Sequence, residues 1–348
     1  MNGGGGPLVS VIIPAFNAAA TVTAAIESAL GQTLSDTEVI VVDDGSTDDT
    51  TALVSAIDDS RLRVLRGEHG GVARARNRGL RSAGGRFITF LDADDMWTAE
   101  KLTAQVDALE RDPSAGAVYS WTAFFDQNGR YLFAKGPQYH CGDVYAELLA
   151  TYFLASGSNV LARRECIEAT GEFDEAAEPV EDWEYWLRAA KVCRFAVTPN
   201  YHVLYRFSTG SASSEVERYG RAVERVVEKE FAQATPGLRA RYAECLSNAK
   251  QHACLLHLAR TAAPDAHRKA GLLLRSAIAQ RPTALFSMRV LTLLCAWLAL
   301  GFASDREVNR RTESLLRQYG RWMMLRAPVL RSIKPARRRE NAVPCASE

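Results

Sequence analysis

Apolar runs alternate with amphipathic stretches over the first hundred residues of the chain. Four short runs are rich in bulky and β-branched residues, which is typical of strands buried on both faces of a parallel sheet. They lie at residues 8–13, 38–42, 61–65 and 86–91. Helical periodicity predicts helices at about residues 19–30, 46–57, 71–82 and 98–111. This alternation predicts an α/β fold with a doubly wound, mostly parallel sheet.

The pattern changes twice further along the chain. After residue 115 it is mixed, with strands predicted at 117–125, 131–134, 159–162, 195–198 and 202–207, and an amphipathic helix at 181–190. From residue 215 onward it is helical, with further helices at about 237–259, 264–280, 284–302 and 305–325. We therefore expect a flexible leader (1–7), two halves of one α/β domain (8–115 and 116–213), an all-helical extension (214–325) and a flexible basic tail (326–348).

Composition and charge narrow the classes of partner. A net charge of +1 over 348 residues gives no support for a nucleic-acid partner. Seven scattered cysteines without a CxxC pair, and no signal peptide, predict reduced thiols in a cytoplasm. The apolar run at 290–303, followed by the basic tail, is compatible with peripheral attachment to the inner, anionic face of a membrane. The alternative is a helical subdomain that packs on itself.

Carboxylates gather where predicted strands end. Asp92, Asp94 and Asp95 follow the fourth strand, and Asp43 and Asp44 follow the second. In open α/β sheets ligands bind beyond the carboxyl ends of the strands. Crowded carboxylates repel each other unless a cation lies among them, and Mg²⁺ or Mn²⁺ held together with substrate phosphates would be such a cation. The alternative is a solvated acidic turn before a helix.

Five blocks in order carry a family resemblance. They are VSVIIPAFNA (9–18), EVIVVDDGSTD (38–48), GGVARARNRGL (70–80), FITFLDADD (87–95) and VEDWEYWLRAA (180–190). With them the chain resembles the family 2 glycosyltransferases, whose fold is GT-A, over about residues 8–213. The resemblance implies an inverting, metal-dependent enzyme that transfers a sugar from a nucleotide sugar, most often a UDP-sugar, to a hydroxyl of a glycan or lipid-linked acceptor. The first half of the domain would bind the donor, and the second would bind the acceptor and carry the catalytic base.

The resemblance also implies donor-side roles for individual residues. Asp44 matches the acid that accepts a hydrogen bond from the uracil imide, and Asp92 matches the acid on the ribose side. Arg76 and Asn77 match an element near the base and diphosphate. Phe16 offers a stacking surface for uracil, the alternative being a core aromatic residue. The remaining donor-side candidates are Pro14, Ala15, Asn17, Gly71 and Ala93.

The resemblance also implies catalytic roles for two aspartates. Asp94 matches the ligand of the cation and Asp182 matches the catalytic base. A base works best with a pKa raised towards neutrality; flanking tryptophans would raise it by desolvation, whereas a helix N-terminus would lower it. Supporting candidates are Asp43, Asp95, Glu181, Trp183, Arg206 and Ser211.

One position departs from the family pattern. Many relatives carry a histidine near the diphosphate where this chain has Ser208. Either water, His202 or Thr209 replaces it, or the loop only covers the diphosphate. Two other functions stay open at this point. A sugar nucleotidyltransferase would need a glycine-rich loop after the first strand, which PAFNAAA is not. A non-catalytic glycan-binding relative is disfavoured because Asp44, Asp94 and Asp182 are all present.

Overall fold

The structure, a computed structural model, describes residues 6–127, 129–206, 216–232, 234–258 and 266–301. Its strands belong to a single sheet with the order β3-β2-β1-β4-β8-β6-β9-β5, and β7 pairs with β6. The strands are β1 (Val9–Ala15), β2 (Thr37–Asp43), β3 (Leu62–Arg66), β4 (Phe87–Phe90), β5 (Met96–Trp97), β6 (Ala115–Phe125), β7 (Tyr131–Ala134), β8 (Leu161–Arg163) and β9 (Arg194–Arg206).

The direction of the strands divides the sheet into two parts. β1 runs parallel to β2 and β4, and β2 runs parallel to β3, as the sequence predicts. β8 is antiparallel to both β4 and β6, whereas β6 and β9 are parallel. The prediction of a mostly parallel sheet therefore holds for the N-terminal part, and the sheet as a whole is mixed. The two strands predicted at 195–198 and 202–207 are one long strand, β9.

Helices cover both faces of the sheet. They are α1 (Val22–Leu30), α2 (Thr50–Ser55), α3 (Val72–Ser82), α4 (Lys101–Arg111), α5 (Tyr145–Ala150), α6 (Arg164–Thr170) and α7 (Glu181–Val192). Buried residues of α1, α2 and α4 pack on one face, and those of α3, α5, α6 and α7 pack on the other. The periodicity did not predict α5 and α6, which are only six and seven residues long.

The helical extension is anchored to the α/β domain. Its helices are α8 (Val216–Ala232), α9 (Pro236–Arg239), α10 (Tyr242–Leu258), α11 (Ala266–Gln280) and α12 (Met288–Gly301). Val223 and Val227 of α8 join the same core as Trp186 of α7, and Lys229 lies 3.1 Å from the buried Glu184 carboxylate. A separate small core joins α10, α11 and α12. Among the described residues, no helix has both the length and the apolar character needed to cross a bilayer. The predicted helix at 305–325 and the basic tail lie outside the described residues.

The prediction of reduced thiols throughout is wrong for one pair of cysteines. Cys166 of α6 and Cys193, which follows α7, form a disulfide with their Cα atoms 6.0 Å apart. The packing of α6 beside α7 brings them together across 27 residues of sequence, a proximity that spacing alone does not reveal. A cavity of about 550 Å³ lies beside this disulfide, and its lining contains none of the candidate site residues.

Candidate active site

The loops after β1 and β2 meet at the carboxyl edge of the sheet. Parallel pairing sets Ala15 opposite Asp43, so both loops leave the sheet at the same level. The Asn17 side-chain oxygen accepts hydrogen bonds from Thr47, and the Asn17 amide donates to the Ser46 hydroxyl at 3.0 Å. Pro14 and Ala15 are buried in β1, whereas Phe16 and Asn17 are exposed. Asn17 therefore joins the two loops, and Phe16 supplies the accessible surface.

Asp43 stabilises the turn that follows β2. Its carboxylate accepts hydrogen bonds from the Ser46 amide at 3.0 Å and from the Thr51 hydroxyl. Burial would raise the pKa of Asp43, but these hydrogen bonds outweigh it and hold the pKa below its usual value. Asp43 thus has the turn-forming role expected of an aspartate beside a glycine.

Asp44 has a different set of partners. Its buried carboxylate accepts hydrogen bonds from the amides of Gly70 and Gly71 and from Nδ1 of His69 at 2.9 Å. The His69 ring in turn stacks on Phe16, with ring centroids 3.9 Å apart and planes 20° from parallel. The interpretation of Phe16 as a core aromatic residue is wrong, because its side chain is 44% exposed. In this structure the imidazole occupies both the aromatic face of Phe16 and the accessible side of Asp44.

Gly71, which has no side chain, allows the Glu178 carboxylate to lie close to the backbone at the start of α3. It adopts φ 94°, and a Cβ at this position would lie 2.5 Å from Oε1 of Glu178. That same oxygen accepts a hydrogen bond from the Ala73 amide at 3.0 Å, which satisfies one of the free N–H groups of the first helical turn. Glu178 therefore ties the N-terminus of α3 to the chain just before α7.

Arg76 connects the two halves of the domain. Its guanidinium donates to Asp92 at 2.6 Å and to Glu181 at 2.7 Å, and its side chain is only 3% exposed. Burial alone would lower the pKa of Arg76, but the neighbouring carboxylates raise it above its usual value. The guanidinium is thus fixed by protein carboxylates and holds α7 against the end of β4.

Asn77 is bonded to the backbone of the loop before α7. Its side-chain amide donates to the carbonyl of Phe173 at 3.0 Å and accepts from the amide of Phe173 at 2.7 Å. The residue is 1% exposed. In this structure Asn77 fixes the loop before α7, and its contact with the donor stays a prediction.

Asp95 and Arg206 hold the acidic turn after β4 in place. The fully buried Asp95 carboxylate accepts hydrogen bonds from the Ser156 and Ser158 hydroxyls and from the Arg206 amide. Burial first, and the charges of Asp94 and Asp92 second, raise the pKa of Asp95. Arg206 Nε donates to the Asp94 carbonyl at 3.0 Å, so its guanidinium supports the turn.

The carboxyl group of Asp94 suits a cation. Burial, followed by the neighbouring charge of Asp92, raises its pKa to about 6. Among the described residues, no side chain donates a hydrogen bond to this carboxylate. No cluster of three or more metal-ligating side chains occurs in the described part of the chain. A divalent cation here would take one or two carboxylates plus oxygens from phosphates or water, which is how Mg²⁺ is usually bound.

Asp182 lies in the first turn of α7 with a pKa raised to about 6. Burial is the largest cause and the charge of Glu181 the second, and together they outweigh the charge of Arg76 and the hydrogen bond from Tyr152, both of which lower the pKa. The Tyr152 hydroxyl donates to Oδ2 of Asp182 at 2.7 Å. Trp183 is buried and donates from its indole to the Leu148 carbonyl, so it shields the start of the helix.

The structure does not support His202 as the replacement for the family histidine. His202 is buried, and its Nδ1 lies 2.6 Å from the Thr98 hydroxyl, beside the buried Lys101. Burial and the charge of Lys101 lower the pKa of His202 to about 4, so it forms part of the core. Ser208, Thr209 and Ser211 lie outside the described residues.

Sequence reasoning missed several residues that shape the site. They are His69, Tyr152, Ser158 and Glu178. Each belongs to a loop without helical or strand periodicity, and each acts on a residue between 25 and 105 positions away. The SGSNV sequence around Ser158 carries two hydroxyls that converge on Asp95, but only the tertiary structure reveals their target.

Comparison with known proteins places the chain in a family. Residues 10–171 match the family described as Glycosyl transferase family 2. The Escherichia coli UDP-Glc:alpha-D-GlcNAc-diphosphoundecaprenol beta-1,3-glucosyltransferase WfaP is 31% identical over 212 residues, covering 60% of this chain and 80% of that protein. The E. coli enzyme WfgD, of the same description, is 47% identical over 103 residues, which are 29% of this chain and 41% of WfgD.

Solved structures agree on the fold. Residues 1–349 of S. aureus TarS, in complex with UDP-GlcNAc, match with a TM-score of 0.58 and 20% identity, over 90% of this chain and 92% of that one. The Pyrobaculum calidifontis mannosyltransferase PcManGT, with GDP-Man and Mn²⁺, matches with a TM-score of 0.53 and 22% identity, over 92% and 87%. With its GT-A fold and these relatives, the chain belongs to glycosyltransferase family 2 and is a glycosyltransferase.

Proposed function

We propose that this enzyme is an inverting, metal-dependent glycosyltransferase that uses a UDP-sugar as donor and a hydroxyl of a lipid-linked saccharide or glycan as acceptor. Asp182 is the base that takes the proton of the acceptor hydroxyl. The observation that carries the proposal is the pKa of about 6 at Asp182, on a helix that Arg76 fixes to the acidic turn after β4. A carboxylate with a pKa near neutrality is suited to general base catalysis.

The choice of UDP rests on the relatives and on the nucleotide pocket. WfaP and WfgD are named as enzymes that use UDP-Glc, and TarS was solved with UDP-GlcNAc. In our proposal the uracil ring takes the place of the His69 imidazole, stacking on Phe16 and donating its imide N–H to Asp44. The imidazole makes the same two kinds of contact in this structure, an aromatic stack and a hydrogen bond to the carboxylate.

Asp94 is the proposed cation ligand, and Asp92 lies on the ribose side. A bound Mg²⁺ or Mn²⁺ would stabilise the negative charge that develops on the leaving diphosphate. The raised pKa of Asp94 supports this assignment, since a cation relieves the repulsion between its carboxylate and that of Asp92. Asp95 and Arg206 then act by holding the turn, and Glu181 acts by holding Arg76.

The acceptor class rests on the names of the relatives, both of which act on a diphosphoundecaprenol-linked sugar. A lipid-linked acceptor would be reached from a membrane surface, so we propose that the enzyme works in the cytoplasm at the inner face of the membrane. We keep the two halves of the domain, 8–115 and 116–213, as the donor and acceptor halves in this proposal.

A donor screen tests the proposed function. The full chain is incubated with each common nucleotide sugar and a lipid-linked saccharide acceptor in the presence of Mn²⁺ or Mg²⁺, and release of the nucleoside diphosphate is measured. We expect turnover with one or more UDP-sugars and none with GDP- or CDP-linked sugars. Turnover of a GDP-sugar alone would contradict the assignment of the base pocket, and release of pyrophosphate from sugar phosphate and nucleoside triphosphate would favour a nucleotidyltransferase.

A further inference from the structure

One face of α12 is apolar although it is exposed. Met288, Leu291, Cys295 and Leu298 follow one another at intervals of three, four and three residues, which places them on a single face of the helix. Met288 is 52% exposed, Leu291 40% and Leu298 45%, and the Cys295 thiol is also exposed. Phe286, in the 3₁₀ turn just before the helix, is 84% exposed. We call these five residues the α12 stripe.

The opposite face of the helix is already occupied. Val290 and Leu293 are buried and pack with Leu258 of α10 and Leu274 of α11. The usual surface helix buries one apolar face and turns polar residues to solvent. Because α12 is apolar on both sides, its packing against the extension does not account for the stripe, and such a surface normally marks an interaction site.

The segment that carries the stripe is cationic. Between residues 266 and 301 the chain contains Arg268, Lys269, Arg275, Arg281 and Arg289 and no aspartate or glutamate. The carboxylates that pair with Arg281 and Lys269 are Glu244 and Glu217, which belong to α10 and α8. Positive charge next to exposed apolar side chains matches the chemistry of an anionic lipid surface.

A contact between helices places a cation beside the C-terminal end of the stripe. Arg281 and Arg289 flank the N-terminal end in sequence, and Arg281 pairs with Glu244 at 3.1 Å. At the other end the His267 ring stacks on Trp297, with centroids 5.0 Å apart, and the Trp297 indole donates to the His267 carbonyl at 3.0 Å. This contact brings the start of α11, where Arg268 is exposed, beside the last part of the stripe.

The stripe is also connected to the proposed base. Arg289 is close enough to Lys135 that its charge, after burial, contributes to lowering the pKa of Lys135 to about 7. The Lys135 ammonium group donates to the Tyr152 carbonyl at 2.6 Å, and the Tyr152 hydroxyl donates to Asp182. The N-terminal part of α12 is therefore connected to the proposed base through Lys135 and Tyr152.

We propose that the α12 stripe docks the enzyme on an anionic phospholipid bilayer, with Phe286, Leu291 and Leu298 inserted at the level of the acyl chains. The exposed Arg268 then lies among the lipid phosphates. A second copy of this chain is the less favourable occupant, because symmetric pairing of two stripes would bring like charges together. The proposal depends on the proposed function only in giving the docked enzyme a lipid-linked acceptor.

Binding to vesicles tests the docking surface directly. The full chain is mixed with vesicles of phosphatidylglycerol or of phosphatidylcholine, and the bound fraction is measured by sedimentation. We expect binding to phosphatidylglycerol, and the double variant Phe286→Ser/Leu291→Ser should bind about tenfold or more weakly. The matched control is Leu53→Ser on α2, which removes another exposed leucine and should bind as the wild type does.

The same variants separate the alternatives. If the double variant binds vesicles as tightly as the wild type, the basic tail at 326–348 or another surface does the docking and the proposal fails. It also fails if the wild type does not bind, whether because residues beyond 301 cover the stripe or because a dimer forms; light scattering identifies the dimer. Transfer of sugar to a water-soluble acceptor should be unchanged in the double variant, so failure of docking and failure of the proposed function are distinguishable.

Discussion

The Tyr152 hydroxyl donates a hydrogen bond of 2.7 Å to Oδ2 of Asp182. The bond joins the loop after α5 to the first turn of α7, across 30 residues of sequence. It fixes one oxygen of the carboxylate, while Glu181, the preceding residue, is fixed by Arg76. The proposed base therefore has its orientation set by a phenol and its helix set by a guanidinium, and both can be altered without removing the base.

We expect the pH profile to show the raised pKa of Asp182. The base acts as a carboxylate, so kcat/KM should fall about tenfold per pH unit below pH 6. Tyr152→Phe removes a hydrogen bond that favours the charged form, so the acid limb should move to higher pH. Glu181→Gln removes a neighbouring negative charge and should move it to lower pH. Identical profiles for all three proteins would show that another group controls the acid limb.

Metal dependence should follow Asp94. UDP binding measured by calorimetry should be stronger with Mn²⁺ or Mg²⁺ than with EDTA, and Asp94→Ala should remove the difference, since the proposed carboxylate ligand is lost. Asp49→Ala, which removes an exposed carboxylate at the start of α2, serves as the control. This variant should still bind UDP more strongly with the metal than with EDTA. Equal affinity of the wild type with EDTA and with Mn²⁺ would contradict the role given to Asp94.

Arg76 should matter for stability more than other paired arginines. Arg76→Met leaves Glu181 and Asp92 without their partner, and breaking a buried pair in this way costs about 3–5 kcal/mol. The control is Arg81→Met, whose exposed pair with Glu172 is worth about 0–1 kcal/mol. Urea unfolding of both variants measures the two values. Equal, small losses would show that the Arg76 pairs do not hold the halves of the domain together.

Removing the His69 imidazole should open the base pocket. The ring stacks on Phe16, and aromatic pairs of this kind are worth about 0.5–1.5 kcal/mol, so His69→Ala should tighten UDP binding about 2- to 10-fold. Phe16→Ala should weaken UDP binding, because the uracil would lose its stacking surface. Calorimetry with UDP measures both. Weaker binding by His69→Ala would mean that the imidazole remains part of the pocket when the nucleotide is bound.

Much of the fold and the location of the site followed from local sequence. The strand ends at Asp44 and Asp92 were predictable because apolar runs end abruptly in carboxylates there. The roles of individual residues were less predictable, because they depend on contacts between distant segments. Asn77 matched an element of the family near the base and diphosphate, but the sequence did not reveal that its amide pairs with the Phe173 backbone 96 positions away. The Cys166–Cys193 disulfide and the hydrogen bond from the Ser158 hydroxyl to Asp95 also join distant segments, so local sequence did not reveal them.

The most direct test of the central claim is a comparison of UDP affinity and sugar transfer in Asp182→Asn. Asparagine keeps the shape of the side chain but cannot take a proton, so UDP should bind as it does to the wild type. Transfer should fall by about 10²–10⁴-fold, the usual contribution of a general base. A variant that transfers sugar at the wild-type rate, or one that loses its affinity for UDP, would contradict the role of Asp182 as the base.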